Sequence, residues 1–95
     1  MKEKFYIGGK QYIPEESFLL CDAIISEGGL EVFEDNIHER IYATKKGGFF
    51  HVHEEKGNVT AEVLSREEVM ELLDTFSPYI DTLMYDTVFG APEIG

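Results

Sequence analysis

The sequence predicts an α+β fold in which a small antiparallel sheet packs against two to three helices. Residues 37–64 alternate between apolar and polar side chains and contain two turn signals, which is typical of a three-stranded meander at the centre of the sheet. Three further segments carry helix-start signals, at Pro14, Ser65 and Ser77-Pro78. The length of 95 residues and the hydrophobic content of 43% are typical of one domain, spanning residues 1–95.

The first elements are predicted to be a hairpin and a helix. Gly8-Gly9 separates two short aromatic and apolar runs, and glycine readily adopts the positive φ of a tight turn, so residues 5–13 should pair as an N-terminal hairpin. Pro14 suits the first position of a helix, and acidic residues follow it, so we expect a largely buried helix over residues 14–27. Cys21 belongs to the apolar set of this helix and is expected to be a small core residue.

The meander allows a strand register to be predicted. Two-residue loops at 46–47 and 57–58 set which residues face each other, and alternate side chains then fall on two faces. The face expected to enter the core carries Ile41, Ala43, Phe50, Val52, Ala61 and Val63. The opposite, solvated face carries Arg40, Tyr42, His51, His53, Thr60 and Glu62. In this register Arg40 lies directly beside His53.

The C-terminal elements are predicted to be two helices and a tail. A capping box at residues 65–68 predicts a helix over residues 66–76. Ser77-Pro78 predicts a second helix that continues to about Tyr85. Residues 89–95 are expected to form a loose tail.

The composition is strongly acidic. Nineteen Asp and Glu residues against eight Lys and Arg residues give a net charge of −11, which repels nucleic acids and anionic membranes and attracts basic surfaces. The single cysteine and the absence of a long apolar run predict a cytoplasmic protein without a secretory or membrane segment. The acidity either serves solubility alone or allows carboxylates to stand in for phosphates on a basic partner.

Two acidic clusters are the candidate partner-binding sites. The first lies on one face of the predicted helix at i, i+4, i+7 spacing and consists of Glu67, Glu71 and Asp74. The second lies in the segment before the meander, is expected to be exposed, and consists of Glu31, Glu34, Asp35 and Glu39. The alternative partner-binding face is the solvated side of the sheet, with Arg40, Tyr42, His51, His53 and Glu62.

The pair His51 and His53 raises the question of a metal site. Residues two apart on a strand point to the same side, but a catalytic zinc needs a third protein ligand, and the predicted neighbour Arg40 is a cation. We therefore expect no metal and no other cofactor. The glycine-lysine turns at residues 8–10 and 45–48 do not precede a helix, so they are not P-loops. No nucleophile motif is present, and we expect no enzymatic activity; the alternative is a metal-dependent enzyme that uses the two histidines.

Three motifs carry a resemblance to known proteins. Tyr6–Tyr12 has the pattern Y-x-GG-K-x-Y, Tyr42–Phe50 reads YATKKGGFF, and LSREEVMELL follows the meander. Over residues 4–73 the chain resembles small proteins encoded by phages and mobile elements of Gram-positive bacteria, some of which are similar to type II anti-CRISPR proteins. The resemblance implies a non-enzymatic inhibitor of a guide-RNA nuclease or its guide complex in the cytoplasm of the bacterial host. The alternative is a structural or regulatory phage protein whose acidity serves solubility.

Overall fold

Two antiparallel sheets and two α-helices make up the fold over residues 3–26 and 36–90, which a computed structural model describes. The elements are β1 (Phe5–Ile7), β2 (Lys10–Tyr12), β3 (Phe18–Ser26), β4 (Asn36–Ala43), β5 (Phe49–Glu55), β6 (Asn58–Leu64), α1 (Arg66–Thr75) and α2 (Thr82–Phe89). Single 3-10 turns lie at Pro14–Glu16 and Ser77–Tyr79. The α+β class, the N-terminal hairpin and the meander of β4, β5 and β6 are confirmed.

The main sheet has the strand order β3-β4-β5-β6, and both of its faces are covered at one end. On the helix face, the buried residues of the sheet pack against Val69 and Leu73 of α1 and include Ile41, Ala43, Phe49 and Leu64. On the hairpin face, Phe5 and Tyr12 of the separate two-stranded hairpin pack against Tyr42, Phe50 and Val52. The sheet is therefore the middle layer, with helices on one side and the hairpin on the other.

The helix predicted over residues 14–27 is wrong, because residues 18–26 form β3 instead. Pro14 and the acidic residues after it do start a helical turn, but Ser17 ends this turn with extended backbone angles. A short apolar run fits a buried helix or a strand equally well. Residues 18–26 adopt the strand because they pair with β4 along its edge, with one irregularity in the register between Leu19 and Cys21. Cys21 is fully buried, as expected of a core residue.

Both turns of the meander differ from the predicted ones. The first is a three-residue loop over residues 45–47: the Thr44 amide donates to the Gly48 carbonyl at 2.8 Å, and Gly47 has a φ of +89°. This loop shifts the β4–β5 register by one residue and pairs Ile41 with His51, so every β5 side chain changes face relative to β4. The second is a two-residue loop at Lys56-Gly57. It shifts the β5–β6 register by two residues, so the side chains of β5 and β6 that were predicted to share a face still share it.

The C-terminal part agrees with prediction in α1 and departs from it in α2. The capping box is present: Ser65 Oγ accepts from the Glu68 amide, and the Glu68 carboxylate accepts from the Ser65 amide. Ser77-Pro78 starts only a 3-10 turn, and α2 begins later, capped by Asp81. α2 extends to Phe89, whose ring stacks on Phe49 at 5.6 Å and is therefore packed, although the tail had been expected to begin there. Neither described helix is long and apolar enough to cross a membrane.

Candidate functional site

A cluster of histidine and glutamate side chains lies on the helix face of the sheet, toward the strand ends at Ile37 and Glu55. Glu39 of β4 pairs directly with His53 of β5, and His51 of β5 pairs directly with Glu62 of β6. All four side chains share one face, because directly paired residues of antiparallel strands point the same way. The register thus places a glutamate, and not Arg40, beside the two histidines.

Glu39 bridges the two imidazole rings. Its Oε2 contacts Nε2 of His51, and its Oε1 contacts Nδ1 of His53. Only 6% of Glu39 is exposed, so the prediction that it belongs to an exposed acidic segment is wrong. A buried carboxylate is costly unless it is paired, and here the two rings provide that pairing.

The outer nitrogens of both rings also face carboxylates. His51 Nδ1 lies 3.2 Å from Oε1 of Glu62, and His53 Nε2 lies 3.3 Å from Oε2 of Glu55. An ionised carboxylate only accepts hydrogen bonds, and a neutral imidazole has only one N–H donor. A neutral ring can therefore donate to only one of two ionised carboxylates, whereas an imidazolium ring can donate to both. Glu39, Glu55, Glu62, His51 and His53 together form the histidine–carboxylate cluster.

The pKa of His53 is raised above its usual value as a result of these contacts. Partial burial alone disfavours the charged ring and lowers the pKa, but the hydrogen bonds to Glu39 and Glu55 and the negative charges of both carboxylates outweigh it. The cluster thus holds positive charge on His53 to a higher pH than an exposed histidine would.

Arg40 lies on the opposite, hairpin face of the sheet. Its Nη1 and Nη2 donate to the carboxylate of Glu3 at 2.9 and 3.2 Å, and Nη1 also donates to the Tyr42 hydroxyl at 3.0 Å. The predicted alternative partner face is therefore split: Arg40 and Tyr42 lie on one side of the sheet, and His51, His53 and Glu62 on the other. Tyr42 is moreover buried.

The two histidines were predicted not to bind a metal because Arg40 was expected beside them. That reason is wrong, because the observed β4–β5 register places Arg40 on the opposite face of the sheet. In the structure the ring nitrogens of His51 and His53 face carboxylate oxygens, and the absence of a metal stays a prediction. Within residues 3–26 and 36–90, no group of three or more His, Cys, Asp or Glu side chains is arranged to hold a metal ion.

A second histidine–carboxylate contact occurs on the hairpin face at the same end of the sheet. His38 Nε2 contacts Oδ1 of Asp22 on β3, and its Nδ1 lies 3.8 Å from Oε2 of Glu54 on β5. Sequence reasoning missed His38, Asp22 and Glu54 because Asp22 was assigned to a helix. The sequence carries no period-2 signal for a strand here, because Asp22 is the single polar residue within the apolar run of residues 18–25.

The acidic face of α1 agrees with its prediction. Glu67, Glu71 and Asp74 are all exposed, whereas Val69 and Leu73 on the other side of the helix are buried. No ion pair of the described residues involves any of these three carboxylates. Of the second acidic cluster, Glu31, Glu34 and Asp35 lie outside the described residues.

The chain was compared with family models, with curated proteins and with solved structures. It matches none of them.

Proposed function

We propose that this protein is a non-enzymatic inhibitor that binds a basic, nucleic-acid-binding protein through the acidic face of α1. The observation that carries the proposal is that Glu67, Glu71 and Asp74 are exposed together and make no ion pair with another described residue. Exposed carboxylates of this kind add little to folding stability and are available to an external cation. In a chain with a net charge of −11, their negative potential reinforces that of the whole molecule.

The spacing of the three carboxylates suits a partner that normally holds a nucleic acid. A helix rises about 1.5 Å per residue, so Glu71 lies about 6 Å along the axis from Glu67, and Asp74 about 4.5 Å further. The phosphates of one nucleic-acid strand follow one another about every 3.4 Å along the duplex axis, which is a spacing of the same order. A basic groove that binds phosphates through Lys and Arg can therefore meet a comparable row of negative charge on α1.

The specific form of the proposal is a phage-encoded anti-CRISPR protein that acts on a guide-RNA nuclease in the bacterial cytoplasm. The resemblance over residues 4–73 supports this partner, and the basic nucleic-acid channel of such nucleases fits the charge of this protein. Inhibition then consists of occupying a surface that guide RNA or target DNA would otherwise use. No catalytic residue of this chain is required.

A cleavage assay with a type II guide-RNA nuclease of a Gram-positive host tests the proposal. The variant Glu71→Lys/Asp74→Lys removes two carboxylates from the acidic face and should abolish inhibition and binding. Its fold should persist, because lysines in the last turns of a helix interact favourably with the helix dipole. Binding of the unmodified protein should weaken steeply as salt is added, since the paired charges are screened.

The matched control is Glu15→Lys/Asp86→Lys, which makes the same change of net charge at two exposed positions outside α1. If this control loses inhibition as completely as the α1 variant, total charge and not the α1 face is responsible. Inhibition that survives both double substitutions and high salt would contradict the proposal.

A further inference from the structure

A cleft of about 790 Å³ lies between the β1–β2 side of the molecule and the β4–β5 turn. One wall is formed by residues 10–13 with Glu16 and Ser17, and the other by residues 44–48. Its volume is within the range of roughly 300–1,000 Å³ that small-molecule sites occupy. Lys10, which follows the glycine pair of the first turn, and residues 45–48 of the second glycine-lysine turn thus border the same cavity.

The charge of the cleft is opposite to that of the protein. Lys10, Lys45 and Lys46 line it, and Glu16 is the only acidic residue among the described residues of the lining. The formal charge of these lining residues is therefore +2, in a molecule of −11. None of the three ammonium groups lies within ion-pair distance of a carboxylate in the described ranges. The three lysines therefore line one cleft without an ion pair to any described carboxylate, in a molecule that is otherwise acidic.

Neutral groups in the cleft complete the surroundings of an anion. The Thr44 hydroxyl accepts a hydrogen bond from the Gly48 amide at 2.8 Å, which leaves its own hydrogen to donate. Gly47 has no atom within 4 Å of the position a Cβ would take, so a ligand can approach the backbone there. Tyr12 and Ile13 supply an apolar wall on the opposite side.

We propose that this cleft binds a small molecule that carries a phosphate group. The three lysines act as compact point charges, a role in which lysine commonly binds phosphate. Any organic part of the ligand packs against Tyr12 and Ile13. This site is independent of the acidic face of α1, and binding there does not rest on the proposed inhibition.

Nuclear magnetic resonance titration of the ¹⁵N-labelled protein tests this site. The probes are inorganic phosphate, adenosine 5′-monophosphate and adenosine, at an ionic strength held constant with sodium chloride. We expect saturable shifts of the Gly47 and Gly48 amide signals with both phosphates. Tighter binding of the nucleotide would identify an organic phosphate as the ligand class, and equal affinity would identify the free anion.

The variant Lys45→Ala/Lys46→Ala should bind phosphate more weakly, by roughly two- to five-fold for each partly exposed charge removed. Lys4→Ala is the control, because Lys4 is exposed and lies outside the cleft lining. It removes one charge, as Lys10→Ala does, and should keep the original affinity. Lys10→Ala provides a further test that leaves the β4–β5 turn unchanged. Shifts that do not saturate, adenosine binding as tightly as its monophosphate, or equal affinity of the cleft variants and the control would overturn the proposal.

Discussion

Replacing Glu39 with Gln tests whether the histidine–carboxylate cluster stabilises the fold. The substitution keeps the shape of the side chain but removes the charge that both imidazole rings contact. The contact to His51 is nearly buried, with 11% of that side chain exposed, so it counts as a charge-assisted hydrogen bond worth about 1.5–3 kcal/mol. The side chain of His53 is 35% exposed, and solvent screening reduces its contact to about 0.2–1 kcal/mol.

The free energy of unfolding should therefore fall by about 2–3 kcal/mol, because the Gln carbonyl retains one acceptor for one ring. The loss should depend on pH. Since the pKa of His53 is raised in the folded state, its contribution is complete below the unfolded pKa of about 6.5 and is lost as pH rises through the folded value. Urea unfolding near pH 6 and near pH 8.5 should thus give a larger difference between the two proteins at the lower pH.

The control for this measurement is Glu67→Gln, an exposed carboxylate without an ion pair in the part of the chain that the structure describes. It should change stability by less than about 0.5 kcal/mol at either pH. If Glu39→Gln costs no more than this control, or costs the same amount at both pH values, the bridging role of Glu39 is refuted.

Three further outcomes follow from the structure. The pKa of the Cys21 thiol is raised to about 11, by burial first and then by the charges of Asp22 and Glu39, so iodoacetamide at pH 8 should alkylate it only after unfolding; rapid labelling of native protein would contradict this burial. Phe89→Ala removes the stack on Phe49 and should lower the unfolding free energy by about 2 kcal/mol, measured by urea titration; no loss would mean that the end of α2 is not packed. Chelator should leave the melting temperature unchanged, and zinc that co-purifies and is lost together with stability in His53→Ala would show instead that the histidines bind metal.

The parts of the fold that the sequence predicts well are those governed by local chemistry. Ser65 and Glu68 satisfy each other's backbone amides whatever surrounds them, so the start of α1 is predictable. Gly8-Gly9 similarly allows the positive φ angles of +59° and +78° that the first turn adopts. Residues 18–26 are different, because their apolar run suits a helix or a strand and only the free edge of β4 selects the strand.

The histidine–carboxylate cluster was harder to predict, because its composition depends on whether the β4–β5 loop has two or three residues. A two-residue loop at 46–47 of type I′ would need a positive φ at Lys46 as well as at Gly47, whereas the three-residue loop over 45–47 needs it at Gly47 alone. The longer loop places Glu39 next to His53 and Arg40 on the other face of the sheet. The second turn puts Lys56 at a φ of +51°, a conformation that lysine seldom adopts, so Gly57-Asn58 was the more natural choice. The acidic face of α1 needed only helical spacing, which explains why it was found.

The hairpin of β1 and β2 is a sheet separate from β3–β6, and its two three-residue strands pair only with each other among the described strands. An isolated pair of this length is marginal in water, so the packing of Phe5 and Tyr12 on the main sheet is what keeps it ordered. Such a layer can open as a local unit while β4 and β5, each bonded along both edges, remain intact. Because Lys10 and Tyr12 belong to this layer, each opening also dismantles the lysine-lined cleft, and a molecule bound there would hold the layer shut.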